Sequence, residues 1–415
     1  MSPRINLEQI IDTFLACTRI NTTAIASNQT LPSCENQLKL AELVASYFAD
    51  NENISTTINS NAITKITLSG NKTGLPSIVF FSHLDTAPDH DGDTHAIRVK
   101  NYDGTTITLP TTQETISPDD YPELLDYVGQ DIITTDGTSL LGADDKAAIA
   151  AGIEAMRYMI DNPEFLHGDI SLVLLPDEEI GIRGAKALNV AELQADYGIC
   201  LDCCGVGEYV IENWYAGSAK ITVQGVTAHP MSAKGKLVNA LSIASNVINR
   251  LPAMERPEHT EGREGYYWPL QLVGDTAHAT LDIAIRDFEI TGYQARKQTL
   301  QDIVEDLQAI SGTGKINLVI NDVYDNVKPS LDKNPNIMAN VELAMRNLNI
   351  KAKPLIMRGG YDGSVITPNG LPTINIFTGA HNFHSTKEYL PTGSLRLAAE
   401  MLLEMVELST KEVSL

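Results

Sequence analysis

Basic residues are scarce in this sequence. Lys and Arg number 30 against 53 Asp and Glu, a formal net charge of −23. A chain so acidic repels nucleic acid and anionic membrane surfaces, so neither is an expected partner. Cysteine is sparse too, and the count of five is odd. That argues against a disulfide framework and for a reducing compartment. Cys200-x-x-Cys203 has no second CxxC with which to form a zinc knuckle. No apolar run approaches the roughly 18 residues of a membrane-spanning helix. The opening MSPRINLEQIIDTFLACTRI suggests an amphipathic helix broken by charges, without the apolar centre of a secretory leader. A cytoplasmic location is the expectation.

What is present fits a folded globular protein: 43% apolar and 20% charged residues over 415 positions. That length favours two domains over one core. SIVFF (77–81), ISLVLL (170–175), YGICLD (197–202) and PTINIF (372–377) are short apolar runs of strand type. NQLKLAELVASYFA (36–49) and DKAAIAAGIEAMRYMI (145–160) have helical spacing. Strands alternating with helices predict an α/β layered domain with a mostly parallel central sheet. Residues 214–325 differ. SAKITVQG, KLVNALSIASNVINRL, a strand near Tyr266–Leu272, ATLDIAIRDFE, TGYQARKQTLQDIVEDLQAI and KINLVIND follow in order. That order predicts a ferredoxin-like βαββαβ domain. The expected organisation is a catalytic domain from 1–213 and 326–415, with 214–325 inserted as a lid.

In open α/β sheets, ligands gather at the carboxyl ends of the strands. His83 and Asp85 follow the first apolar run. Asp144 and Asp145 open the 145–160 helix. Asp177, Glu178 and Glu179 follow ISLVLL, Asp202 follows YGICL, and His381 and His384 follow PTINIF. Three adjacent acids at the tip of a buried strand repel one another unless a cation or water offsets them. Each piece alone has a plainer reading: a hydrogen-bonded turn, a solvated helix start, an N-cap. Carboxylates and imidazoles at five such places together predict a divalent-cation site. The histidines favour zinc, cobalt or manganese over calcium or magnesium. In extended backbone His83 and Asp85 share a face, so Asp85 can orient the His83 ring.

The segments HLDTAPD, GTSLLGADDKAAIA, LLPDEEIG, GVTAHPMSAKGKLVNA, EHTEGREGYYWPL, IAIRDFE, RGGYDGS and FTGAHNFHSTKEYL occur in this order. Together they resemble the M20 group of dinuclear zinc peptidases, and within it the peptidase T branch of tripeptide aminopeptidases. The likeness covers nearly the whole chain. EHTEGREGYYW and RDFE belong to that branch, whereas HLDT and DEE are shared across the group.

The resemblance implies two Zn2+ ions, with Co2+ or Mn2+ possible in their place. His83 and Asp202 would hold one ion, Glu179 and His384 the other, and Asp144 would bridge them; the peptide matching Asp144–Asp145 is often cis in relatives. Glu178 would be the general base toward a water held between the ions, with Asp85 supporting His83. From the lid, His229 would steady the oxyanion. Arg286 would capture the substrate carboxylate, with Arg358 a second candidate. Plainer readings stand beside these: His229 as a turn residue, Arg286 paired with Asp287, and RGG as a turn. The implied activity is hydrolysis of the N-terminal peptide bond of short peptides, chiefly tripeptides, by a monomer or homodimer. The alternatives are an M20 dipeptidase, carboxypeptidase or N-acyl amino-acid deacylase, or a metal-binding protein without activity. The presence of Glu178 speaks against the last. Met231, Tyr361 and Cys203-Cys204 stand where small residues are usual, and the first two are expected near the substrate cleft.

Overall fold

A computed structural model describes residues 3–411. The chain forms two units. The first takes in the chain up to Ile211, then Pro329–Leu355, then Tyr361 onward. Its eight-stranded sheet runs in the order Ile54–Ile58, Thr64–Leu68, Ile170–Leu175, Ile78–His83, Tyr197–Cys203, Thr373–Phe377, Glu208–Asn213, Lys353–Met357. The four middle strands are mutually parallel. Ile78–His83, Ile170–Leu175 and Thr373–Phe377 are buried at every position. That is the pattern of strands covered on both faces, and it explains their unbroken apolar runs. Outside them, Thr64–Leu68 and Glu208–Asn213 run antiparallel to their neighbours. The sheet is therefore mixed around a parallel centre. Short connections such as 59–63 permit only antiparallel pairing.

The Ala143–Asp161 helix packs on three of the parallel strands, with Leu7–Thr18 and Thr392–Ser409 against it. Its run of alanines, with Gly152, brings the helix close to the sheet. A Cβ at Gly152 would lie 2.8 Å from Leu172. Four parallel strands side by side put four carboxyl ends on one edge. Each chain segment leaving that edge carries one of the residue groups singled out in the sequence.

The second unit is Glu212–Lys328 with Ile356–Gly360. Its antiparallel sheet has the order Tyr266–Gly274, His278–Asp287, Tyr215–Gln224, Lys315–Tyr324. The helices Ala240–Arg250 and Ile290–Ile310 pack onto it. The chain order is βαββαβ, as the alternating patterns predict. Ala219, Ile221 and Val223 turn inward and meet Val247, Leu281, Ile285 and Leu300. Ile356–Gly360, which the sequence boundaries put with the first domain, groups here because Arg358 stacks on Trp214 and Tyr266. No helix among the described residues is long and apolar enough to cross a membrane.

Candidate active site

His83 ends its strand almost wholly buried. Its Nε2 lies 2.9 Å from Asp144 Oδ1. Its Nδ1 lies 3.0 Å from the Asp85 carbonyl and 3.4 Å from that residue's carboxylate. His384 approaches from the loop after Thr373–Phe377. Its Nε2 is 3.0 Å from Glu179 Oε1 and 3.4 Å from Asp144 Oδ2. Asp144 thus touches both imidazoles. It opens the Ala143–Asp161 helix next to Asp145, and the peptide between them is cis. Asp202 stands at the end of its own strand, its N–H donating to Asn375 Oδ1 at 2.8 Å.

The three consecutive acids have three different environments. Asp177 has φ +57° and turns into the protein, fully buried. It accepts from the Ser33 N–H and hydroxyl and from the Gln37 amide, and pairs with Arg183 at 3.2 Å. Glu178 and Glu179 face the other way. Their backbone N–H groups donate to Asp85 Oδ1 and Oδ2 at 2.9 and 3.1 Å. Asp85 is therefore less a support for the His83 ring than a clamp on the turn that presents the two glutamates. We expect Asp177→Ala to lower stability by on the order of 3 kcal/mol, because it strands buried donors at Ser33 and Gln37. Any divalent-metal content should stay that of the parent, since Asp177 faces away. Thermal unfolding with metal analysis checks both, and a loss of metal without a loss of stability would contradict this division of roles.

The electrostatics favour a cation. Burial pushes Glu178 and Asp202 well above the usual carboxylate range. The charge of Asp202 adds to the shift of Glu178, and that of Asp144 to the shift of Asp202. Glu179 is pushed up to about 7 by burial and by Asp144. For Asp144 burial works upward, but hydrogen bonds from His384 and His83 outweigh it and hold the group below its ordinary value. His384 is raised to about 11 by Asp144 and Glu179. More carboxylates meet here than the two imidazoles can balance. Ligand atoms of His83, Asp144 and Glu179 lie within 4.8 Å of one another. Glu179 Oε1 is buried without an aligned hydrogen bond. Nitrogen and carboxylate donors, a buried oxygen without an aligned hydrogen bond and excess negative charge fit a divalent ion of the zinc type.

The other three sequence candidates lie in the second unit. His229 caps a 3-10 turn and accepts the Met231 N–H at its Nδ1, 3.2 Å away. The ring proton is therefore on Nε2. Arg286 does not pair with Asp287, which is taken by Arg296 at 2.8 Å. It donates to the carbonyls of Gly217 and Ile285, with Trp214 and Tyr324 rings beside it. Arg358 donates to Gly262 O and Thr260 Oγ1, over Trp214 and Tyr266. Among the described residues neither guanidinium has a carboxylate partner, although acids far outnumber bases in this chain.

Two buried charged residues beside the cluster escaped the sequence reasoning. Glu388 is buried and accepts the N–H groups of Gly142 and Asp144 at 2.8 and 3.1 Å, which holds the segment that carries Asp144. The signal was an acid four places after His384. Lys146 is fully buried and donates to Ile20 O at 2.8 Å. Burial lowers it to about 8, against the charges of Glu388 and Asp85. A lysine inside an alanine-rich helix was its signal. Two expectations are corrected. His381 turns away from the cluster, bonds Tyr127 at 2.7 Å and stacks on Tyr389. Tyr361 is a core residue, wholly buried with its hydroxyl donating to Thr373 O, and does not line a cleft.

Parallel strands that deliver two histidines and several acids to one sheet edge define an α/β protein with a metal-type centre. The family model of peptidase family M20/M25/M40 matches residues 140–408. The chain is 38% identical to the peptidase T of Caldanaerobacter subterraneus, over 98% of this chain and 100% of that one. In fold it is similar to the aminopeptidase PepT of Bacillus cereus, with TM-score 0.77 at 23% identity, covering 98% and 100% of the two chains. A tripeptidase of Staphylococcus aureus gives TM-score 0.76 at 24% identity, covering 98% and 99%. The chain belongs to peptidase family M20, and within it to the peptidase T group.

Proposed function

We propose that the protein is a metal-dependent aminopeptidase that releases the N-terminal residue of short peptides, chiefly tripeptides, with Glu178 as general base. The observation that carries this reading is the contact cluster of His83, Asp144, Glu179 and His384, with Glu178 next in the chain. Among the described residues the Glu178 carboxylate has no hydrogen bond or ion pair, so it is available to a substrate water. Peptidase T in Caldanaerobacter and the tripeptidase of Staphylococcus support the substrate class. Five free cysteines support a reducing, cytoplasmic setting.

His83 and Asp202 would hold one zinc ion and Glu179 and His384 a second, with Asp144 shared. Ions so held lower the pKa of water and polarise the scissile carbonyl. Glu178 accepts a proton from the attacking water and returns it to the leaving amine. Asp85 keeps Glu178 at its post through the backbone. The Nε2–H of His229 donates to the oxyanion. The test is a panel of di-, tri- and tetrapeptides and N-acyl amino acids, with metal analysis of the same preparation. Preference for dipeptides or acylated amino acids would replace this reading with one of the related M20 activities.

We also assign Arg286 to the substrate carboxylate. After cleavage behind residue one of a tripeptide, two residues separate the scissile carbonyl from the free carboxylate, roughly 7–11 Å of chain. A fixed guanidinium at that reach measures length, and its planar fork suits bidentate capture. Arg286→Met is expected to reduce kcat/KM sharply on tripeptides and much less on tripeptide amides, which have no carboxylate. Equal losses on acids and amides would move the role elsewhere, Arg358 first.

A further inference from the structure

We propose that Asp89 is a positioning residue that holds the His384 imidazole in its metal-binding orientation. The inference rests on reading the cluster as a metal centre. Asp89 Oδ2 lies 3.3 Å from His384 Nδ1, while the opposite nitrogen faces Glu179 and Asp144. At His83 too the Nε2 faces Asp144 while the Nδ1 is directed at an acceptor behind the ring, there chiefly the Asp85 backbone carbonyl at 3.0 Å, with the Asp85 carboxylate at 3.4 Å. Both aspartates come from one short segment, Asp85 to Asp89, that leaves the end of the His83 strand. A neutral imidazole carries one N–H. With that proton on Nδ1 and directed at an aspartate, the Nε2 lone pair is left for the ion.

The two histidines do not need this help equally. His83 is buried and fixed by its strand. The His384 side chain is 45% exposed, on a loop residue with φ +61°. Among the described residues Asp89, Asp144 and Glu179 are the carboxylates within ion-pair distance of its ring. Asp144 and Glu179 are themselves candidate ligands, so of these three Asp89 is the one placed to hold the ring from behind. The segment that carries Asp89 is well anchored. Thr86 and Ala87 are buried, the Thr86 N–H donates to Thr22 O, and Thr86 O accepts from Ala24. Asp89 itself is half-exposed, so its replacement should leave folding intact.

The experiment measures Zn2+ affinity of the full chain by competition with a chromophoric chelator, and the visible spectrum of the Co2+ form. The variants are Asp89→Ala, Asp89→Asn and Asp89→Glu. Asp93→Ala is the control, because it removes an exposed acid four residues further along the chain that pairs with no histidine among the described residues. In Asp89→Ala one of two ions should bind about 10–100-fold more weakly, the other as in the parent, with a changed Co2+ spectrum. Asp89→Asn and Asp89→Glu can still accept the Nδ1 proton and should recover part of the loss, and Asp93→Ala should match the parent. If Asp89→Ala binds both ions as tightly as the parent, or no more weakly than Asp93→Ala, Asp89 pairs only with a charged ring in the ion-free protein and the proposal fails. A parent chain that binds no zinc at all overturns the metal reading itself.

Discussion

Asp144→Ala, supplied with zinc, is expected to hold no stable pair of ions and to hydrolyse peptides at background rate. Asp144 is the one carboxylate among the described residues that contacts both His83 and His384, at 2.9 and 3.4 Å. Removing it separates the two halves of the cluster. Glu179 and Asp202, both raised by burial and by the charge of Asp144, keep their burial and lose the partner that would share an ion with them. Stability gives a second readout. Zinc at about a thousand times its dissociation constant stabilises a native state by about 4 kcal/mol. The parent's Tm should therefore climb with added zinc, and that of Asp144→Ala should stay nearly flat. Retention of two tightly bound ions and a near-parent rate would remove Asp144 from the centre of the site.

Glu178→Gln is expected to lower kcat by about 10²–10⁴, the usual range for losing a general base. Zinc content should remain that of the parent. Glutamine keeps the volume and the backbone N–H that Asp85 accepts at 2.9 Å, so the turn stays in place. Only the ability to take up a proton is lost. Turnover close to that of the parent would show that another group carries the proton. Asp177 is no replacement, because Ser33, Gln37 and Arg183 occupy its carboxylate. The next group to test is Asp362, which is buried, raised to about 7 by that burial, and among the charges that act on Glu178.

The sequence was most informative where neighbours in the chain determine the outcome. Apolar runs of strand length marked the buried parallel strands, and helical spacing marked Ala143–Asp161. The acids and histidines at strand ends were visible because the chain must leave a sheet edge just there. Alternation in 214–325 was enough for βαββαβ, since each strand there has one inward face.

Partner choice was not legible. That Asp177 turns inward while Glu178 and Glu179 turn outward depends on Ser33, Gln37 and Asp85, all far away in the chain. Asp287 prefers Arg296 to the adjacent Arg286 because neighbours along a strand point to opposite faces. Tyr361 looked like a cleft residue and is core, because the Thr373–Phe377 strand passes beside it. By itself the sequence marked the buried parallel strands, the helix at their centre, the βαββαβ order and the acids and histidines placed at strand ends. Tertiary structure alone decided which of those residues meet and which carboxylates burial holds near neutrality. Periodicity and turn chemistry act over a few positions, whereas burial and Coulomb interaction act through space. His83 and Asp144 stand 61 residues apart in the chain and 2.9 Å apart in the fold.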